Sequence, residues 1–268
     1  TSGTNGTTIT WSRQAVTGIS NPGGQGGGNG NPNEILINTT NNPVTVNYQF
    51  TLTSNSCSSN SQNVAVVINP TPNLSSTLTP PAICSGTAFN IIPSNVPANT
   101  TYTWSTPAVN PNGAVSGATA QISSQIFIGQ TLTNATVNPA TVNYTVTPVA
   151  GTCNGNPFLI TVTVNPMPVL NNSNSAPAVI CSGTTFSYLP TSGTNGTTIT
   201  WSRLAGTGIS NPGGQGGGNG DPNEILINTT NNPITVKYHC TLTSNSCSYN
   251  TQNVRVVSNS THNLIMKL

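Results

Sequence analysis

Residues 158–166 read "FLITVTVNP", and their alternation decides the fold. Ile160, Val162 and Val164 fall on one side of an extended chain, and the threonines between them fall on the other. This period of two predicts a β-strand with one buried face. Similar runs precede it at "TYTWST" (101–106), "QIFI" (125–128) and "TVNYTVTP" (141–148). No segment has the apolar period of a helix, so the sequence predicts an all-β protein.

The chain repeats itself. Residues 1–70 and 191–260 match almost letter for letter, and a fainter copy lies between them. The three tryptophans fall at matching places, which defines a unit of about 95 residues, the size of a whole domain rather than of a solenoid repeat. The units join through "NPTPNL" (69–74) and "NPMPVL" (165–170). Alternating prolines favour stiff, extended linkers.

We therefore predict three domains. Residues 1–70 form a unit that lacks its first strand, 71–167 form a complete unit, and 168–268 form a unit that runs into the next linker. About seven short strands per unit, one central Trp and a Tyr on a late strand are typical of an immunoglobulin-like sandwich. The predicted core residues are Trp11, Trp104, Trp201, Tyr48, Tyr144 and Tyr238.

Charge is almost absent from this sequence. Charged residues make up 3% of the chain, with a net charge of +2, and residues 71–167 contain none. Such a chain has no basic patch for nucleic acid and no acidic cluster for a metal. No apolar run approaches the length of a membrane span. We expect no nucleic-acid binding, no membrane insertion, no cofactor and no metal.

An ordered set of motifs in the middle unit resembles a known family. The set is "ICSGT" (83–87), "YTWS" (102–105), "VNYTVTP" (142–148), "GTCNGNP" (151–157) and "ITVTVNPMP" (160–168). It is similar to the PKD-like repeats of very large secreted proteins of Bacteroidota, including surface adhesins of the gliding-motility type. The acidic "WDFGDG" signature of standard PKD domains is missing, so the resemblance is to the PKD-like branch. It implies tandem immunoglobulin-like sandwiches on an extracellular cell surface.

The cysteines bracket the units at matching places. Cys84 and Cys153 bracket the middle unit, and Cys181 and Cys247 bracket the third, so we predict the disulfides Cys84–Cys153 and Cys181–Cys247. The alternative is a metal site, which no Cys-x-x-Cys pair and no aligned His supports. Disulfides fit an oxidising location. We expect Cys57 to be unpaired because its partner segment is absent, and Cys240 to be a buried free thiol.

The stretch "NPGGQGGGNG" (21–30, repeated at 211–220) raises the question of a phosphate loop. Neither glycine spacing of a nucleotide site occurs and no helix pattern follows, so we interpret it as an exposed loop whose glycines supply free φ angles. Arg13 with Glu34, repeated as Arg203 with Glu224, reads as a surface ion pair worth about 0–1 kcal/mol. A recognition role is the alternative for these charges. His239 and His262 occur in one copy only, which argues against catalysis.

These observations favour a structural protein without catalytic activity. We predict a segment of a large extracellular surface protein, an adhesin stalk or a fibre, whose partners are neighbouring repeats or other copies of itself. The alternative is a glycan-binding module of a secreted enzyme, with surface glycans as partners and with Tyr188 and Tyr249 as the candidate aromatic contacts.

Overall fold

The computed structural model describes residues 6–26, 30–59, 61–74, 77–172, 178–216 and 221–260. All regular secondary structure within these ranges is β-strand. The prediction of an all-β fold is therefore confirmed. The strands pair within the three repeat units, whose residue bounds remain a prediction from the repeats.

The first unit forms one antiparallel sheet of five strands. The strands are β1 (Thr8–Arg13), β2 (Gly24–Gly26), β3 (Val44–Ser54), β4 (Cys57–Ser58) and β5 (Gln62–Ile68). β3 is central and pairs with β1, β4 and β5, while β2 adds to the outer edge of β1. The buried core of this unit is small, with Ile19, Val46 and Tyr48 at its centre.

The middle unit is a sandwich of a seven-stranded and a three-stranded sheet. Its strands are β6 (Ile83–Cys84), β7 (Thr87–Ile91), β8 (Thr100–Trp104), β9 (Ala108–Asn110), β10 (Val115–Ser116), β11 (Gln121–Gln125), β12 (Ile128–Asn134), β13 (Ala140–Ala150), β14 (Cys153–Asn154) and β15 (Phe158–Asn165). The larger sheet has the order β11-β8-β13-β15-β6, with β9 and β14 also on β13, and the smaller has the order β10-β12-β7.

The core of the middle unit lies between its two sheets. β13 and β15 bury every second side chain, so Val142, Tyr144 and Val162 face Ile128 and Leu132 of the smaller sheet. Removing this apolar surface from water is the main source of stability, at about 25 cal/mol per Å².

The expected strand at 125–128 is wrong. Gln125 ends β11 and Ile128 begins β12, and Ile126 between them is 74% exposed. The chain leaves one sheet and enters the other here, so it turns where the apolar run predicted a strand.

The third unit has a five-stranded sheet in the order β16-β22-β21-β18-β19 and a two-stranded sheet of β17 and β20. The strands are β16 (Ala178–Cys181), β17 (Thr184–Phe186), β18 (Thr198–Arg203), β19 (Gly214–Gly216), β20 (Glu224–Leu226), β21 (Ile234–Ser244) and β22 (Cys247–Asn259). Val254 on β22 is fully buried, whereas its counterpart Val64 is 48% exposed. Among the described residues, the first unit has no strands that correspond to β16 and β17, so one side of its sheet is uncovered.

A partly or fully buried asparagine ties the last strand of each unit to a preceding turn. Asn134 donates from Nδ2 to the carbonyl of Val164 at 2.8 Å, and its Oδ1 accepts from the backbone and hydroxyl of Thr136. Asn38 and Asn228 repeat these bonds. The Asn-x-Thr pattern at these three places therefore carries a structural hydrogen-bond motif that uses both ends of the side-chain amide.

Candidate functional site at the junction between units

Cys84 lies at the downstream end of the middle unit. It ends β6, which runs parallel to the end of β15, and it lies opposite Asn165. The chain leaves the sandwich at Asn165 and enters the linker to the third unit. The strand pairing therefore places the Cys84 side chain beside the next unit.

Cys247 lies at the upstream end of the third unit. It pairs with Ser244 across a two-residue turn formed by Asn245 and Ser246. Both turn residues have positive φ, 48° and 65°, as in a type I′ hairpin. The turn reaches the middle unit, because Asn165 donates from Nδ2 to the carbonyl of Asn245 at 3.1 Å.

A disulfide joins these two cysteines across the junction. The Cα atoms of Cys84 and Cys247 lie 5.6 Å apart, and Cys247 is 1% exposed. This bond covalently links consecutive units in addition to the linker peptide.

Hydrogen bonds add a second contact at the same junction. Asn195 donates from its backbone N–H to the carbonyl of Val137 at 3.4 Å and from Nδ2 to Oδ1 of Asn138 at 2.6 Å. The Ser244 hydroxyl donates to the carbonyl of Asn195 at 2.8 Å, which couples this loop to the hairpin of Cys247. The downstream turn of the middle unit, at Val137 and Asn138, therefore contacts the loop of Asn195 in the third unit. That loop is in turn bonded to the hairpin of Cys247.

The structure contradicts the predicted disulfides Cys84–Cys153 and Cys181–Cys247. Cys84 lies opposite the end of β15, whereas Cys153 lies opposite Ala150 at the other end of β13. β13 has 11 residues and is therefore about 35 Å long, far beyond the Cα separation that a disulfide spans. The eleven residues of β21 separate the two cysteines of the third unit in the same way. The two cysteines that bracket each unit in the sequence therefore lie at opposite ends of that unit in space.

The four other cysteines carry no disulfide. Cys57 is exposed in the hairpin of the first unit, and Cys153 is half-buried in that of the middle unit. Cys181 is exposed at the end of β16. Cys240 is fully buried on β21 beside Trp201, and burial raises the pKa of its thiol. Cys240 therefore belongs to the core, whereas the first three lie at the ends of units.

The junction between the first and middle units uses the same two surfaces. Asn41, in the downstream turn of the first unit, donates from Nδ2 to the carbonyl of Asn95 at 3.1 Å. The linker also passes close to the hairpin of the middle unit, because a Cβ at Gly155 would clash with the Pro72 carbonyl oxygen. Only glycine fits this approach, so the linker backbone is held against the upstream end of the middle unit.

Arg203 and Glu224 form an ion pair with a buried arginine and a half-buried glutamate, not the expected surface pair. Nε and a terminal nitrogen of Arg203 donate to the two carboxylate oxygens of Glu224 at 2.8 and 3.0 Å. The Arg203 side chain is 1% exposed, and it also donates to the carbonyl of Pro212 at 2.5 Å. Tyr238 donates its hydroxyl proton to Glu224 at 2.7 Å. An ion pair whose arginine is buried and well hydrogen-bonded is far costlier to break than an exposed one.

The ionised form of Glu224 is held by these donors. Burial alone would raise the pKa of this carboxyl, but the hydrogen bonds from Arg203 and Tyr238 outweigh it and leave the pKa below its ordinary value. Burial, with the nearby Glu224 carboxylate, raises the pKa of Tyr238. At neutral pH the network therefore contains a carboxylate, a guanidinium and a neutral phenol. The carboxylate is engaged by both donors, which indicates a structural role rather than that of a base.

The first and middle units show two versions of this network. Arg13 and Glu34 repeat the buried pair, with the Arg13 side chain fully buried. In the middle unit Thr106 stands at the arginine position and Gln130 at the glutamate position. Tyr144 donates to Oε1 of Gln130 at 2.9 Å, so the bond to tyrosine remains while both charges are gone.

The glycine-rich stretch covers the ion pair and the tryptophan. β19 pairs with β18, and a Cβ at Gly216 would lie 2.6 Å from Nε1 of Trp201. A Cβ at Gly214 would lie 2.5 Å from a carboxylate oxygen of Glu224. Gly24 and Gly26 repeat these contacts in the first unit. These glycines are required by close approach rather than by free φ, which corrects the interpretation of them as part of an exposed loop. Residues 27–29 and 217–220 of the two stretches lie outside the described residues.

The predicted aromatic residues lie at the centre of the units. Tyr48, Tyr144, Tyr238, Trp104 and Trp201 are buried, and the tryptophan and tyrosine rings meet edge to face. The exception is Trp11, which is half-buried in the less covered first unit.

The candidate glycan contacts differ from each other. Tyr188 stacks on Phe186 with ring centroids 6.3 Å apart and donates its hydroxyl to the carbonyl of Asn172 at 2.6 Å. Tyr249 is 38% exposed. Tyr188 therefore contributes to packing within its unit, and Tyr249 is the one of the two with an open side chain.

The parts of the chain that the structure describes hold no group of three or more His, Cys, Asp or Glu side chains that could bind a metal. They also hold no helix long and apolar enough to cross a membrane. His239 is exposed on β21. His262 lies outside the described residues.

The chain is similar to known proteins in its middle unit and, more weakly, over most of its length. Residues 81–168 match the family described as PKD-like domain. No curated protein sequence shows a significant match to the chain. Similar solved structures include extracellular domains 3–5 of Drosophila OTK (10% identity, 96% of this chain, 86% of that chain, TM-score 0.33) and titin domains I67–I69 (9% identity, 97% of this chain, 90% of that chain, TM-score 0.35). The D00–D0 domain of intimin is similar over 69% of this chain and 98% of its own, with 15% identity and a TM-score of 0.31.

Proposed function

We propose that this chain is a structural segment of a large extracellular surface protein, in which tandem PKD-like sandwiches form an adhesin stalk or fibre without catalytic activity. The observation that carries this proposal is the Cys84–Cys247 disulfide between consecutive units. A bond of this kind does not build a reaction site, because both cysteines are consumed in holding two domains together. It fits a protein whose task is to keep domains in line.

The other contacts of the junctions support the same function. Both junctions place the downstream turn of one unit against a loop of the next, through Asn41 and Asn95 or through Val137 and Asn195. The linkers are short and contain alternating prolines, which limits bending. An extracellular location is supported by the disulfide, since such bonds persist in oxidising surroundings.

The near-absence of charge supports a surface suited to association. With charged residues at 3% of the chain, little electrostatic repulsion keeps copies apart. We propose neighbouring repeats and other copies of the chain as its partners. A Bacteroidota surface adhesin of the gliding-motility type is the specific form of this proposal, and it rests on the motif resemblance.

Electron microscopy of the purified, oxidised chain tests the proposal. Three units in line, each about 35–45 Å long, should appear as a straight row of three beads with a narrow spread of bend angles. A matched Cys84→Ser variant should keep its beads but bend more at the second junction. Collapsed or freely hinged particles in the oxidised sample would contradict the proposed stalk.

The alternative function, a glycan-binding module, is supported only by the partly exposed ring of Tyr249. A glycan array with the chain and a Tyr249→Ala variant separates the two functions. Saturable binding that the variant loses would favour the glycan-binding module over the stalk.

A further inference from the structure

We infer that the Cys84–Cys247 disulfide is one of a series of such bonds along the array, which we call the disulfide ladder. In each bond the cysteine that ends the first strand of one unit (the first-strand cysteine, here Cys84) pairs with the cysteine that follows the hairpin turn of the next unit (the hairpin cysteine, here Cys247). In this chain the inference assigns partners to two free thiols: Cys181 bonds to the hairpin cysteine of the unit after it in the array, and Cys57 bonds to the first-strand cysteine of the unit before it. Two purified copies of this chain should join by the same pairing, Cys181 of one copy to Cys57 of the second. The inference rests on the proposed function as an array of units.

The same two motifs that form the Cys84–Cys247 bond recur with free thiols in the first and third units. The first-strand motif "ICSG" occurs at 83–86 and again at 180–183. The hairpin motif "SNSC" occurs at 244–247 and again at 54–57. The bonded pair uses one copy of each motif, and the remaining copies hold the exposed Cys181 and Cys57.

The strand ends that present the two first-strand cysteines have the same geometry. Cys181 lies opposite Asn259 in a parallel pair, as Cys84 lies opposite Asn165. The hydroxyl of the threonine three residues on donates to the cysteine carbonyl at 2.6 Å in both units. Cys181 is therefore presented at the downstream end of the third unit as Cys84 is at that of the middle unit.

The two hairpins match equally well. Asn55 and Ser56 have φ of 49° and 63°, close to the values at Asn245 and Ser246. Cys57 pairs across this turn with Ser54, which places it at the upstream end of the first unit. A second copy that follows the first in line would bring Cys57 to Cys181 by the same approach. Such a head-to-tail contact does not close on itself, so it extends into a filament.

The bond requires an oxidant, which a small-molecule disulfide such as oxidised glutathione supplies. The Cys57 thiolate attacks one glutathione sulfur, forms a mixed disulfide and releases one glutathione thiolate. The Cys181 thiolate then attacks the Cys57 sulfur and releases the second. Two protein thiols are oxidised to one disulfide, and one glutathione disulfide is reduced to two thiols.

A ladder of this kind limits how far the array can be stretched. The covalent path enters a unit at its hairpin cysteine, follows the backbone to the first-strand cysteine of the next unit, and then crosses a disulfide. For Cys153 and Cys181 the backbone part is 28 residues, or about 95 Å when fully extended. That path serves two units, whose folded length is about 70–90 Å. An array in which every unit carries both cysteines in disulfides would therefore reach its covalent limit when at most about a third longer than its folded length. In linked copies of this chain Cys153 stays a free thiol, so this limit does not apply to them.

Oxidation of the purified chain with oxidised glutathione tests the inference. Wild-type chain should give a series of bands at multiples of 27.4 kDa on a non-reducing gel. Reduction should return all of them to monomer. A mixture of Cys57→Ser and Cys181→Ser variants should give a dimer and lose every larger species, because each dimer has no further thiol of the required kind. A Cys153→Ser variant is the matched control and should give the same series of bands as the wild-type chain.

Peptide mapping of the dimer from the mixed variants should identify Cys57 bonded to Cys181. Monomer only, or Cys57–Cys57 and Cys181–Cys181 bonds in place of the mixed pair, would overturn the inference. That result would leave the straight row of beads untouched, so it is distinguishable from a failure of the proposed stalk.

Discussion

Glu224→Gln is the substitution that most directly probes the buried network of the third unit. It removes the negative charge and keeps the size of the side chain. Arg203, with 1% of its side chain exposed, then has no counter-ion. Removing one partner of a fully buried ion pair costs about 3–5 kcal/mol. Because the Glu224 side chain is 17% exposed, we expect a loss at or somewhat below the lower end of that range in the free energy of unfolding of the third unit.

The middle unit supplies the matched control. There Thr106 and Gln130 occupy the same two positions without charge, and Tyr144 still donates to the glutamine at 2.9 Å. The double variant Arg203→Thr/Glu224→Gln copies this arrangement. It should regain a large part of the lost stability, because no unpaired charge remains buried. The two single changes together should therefore cost more than the double change.

Urea unfolding with hydrogen exchange measured by mass spectrometry is the assay, since it assigns the loss to β18 and β21. Strands of the middle unit should keep their protection in every variant. A cost below about 1 kcal/mol for Glu224→Gln, the value of an exposed pair, would refute the account of a buried network. So would a double variant as unstable as the single one.

Three further predictions concern the same unit. Gly216→Ala should destabilise it by about 1–3 kcal/mol in thermal unfolding, because the new Cβ meets the indole, whereas Gly206→Ala, with its nearest contact at 3.9 Å, should change little. Asn228→Ala should cost about 1–3 kcal/mol in urea unfolding because it leaves the buried carbonyl of Ser258 and the carbonyl of Asn232 without this donor, and exposed Asn231→Ala is its control. Because the folded pKa of Glu224 is lowered, its stabilisation is present above the unfolded pKa and is lost as the pH falls through the folded pKa; acid titration of stability should therefore be shallower in Glu224→Gln.

The fold could be predicted from the sequence because its signals are local. The alternation in "FLITVTVNP" became β15 with every second residue buried, and the aligned tyrosines lie in the cores. The expected strand at 125–128 failed because a short apolar run does not distinguish a strand from a turn between sheets.

The junction could not be predicted in the same way. Two cysteines that bracket a unit look like partners in sequence, yet an eleven-residue strand separates Cys84 from Cys153 in space. The strand register, which sets which end of a unit each cysteine occupies, depends on tertiary pairing. The sequence also did not indicate the burial of Arg203. The strand that covers it, β19, contains glycines, which carry no apolar signal. The joint loss of the Arg, the Glu and the glycine stretch from the middle unit was the available clue.

The central claim is that a disulfide joins consecutive units. Mass spectrometry of the oxidised chain, digested with pepsin at low pH to suppress thiol exchange, tests it most directly. The account predicts a peptide pair that links Cys84 to Cys247, with Cys153 recovered as a free thiol. Peptides that link Cys84 to Cys153 and Cys181 to Cys247 would contradict it, because each unit would then be closed on itself.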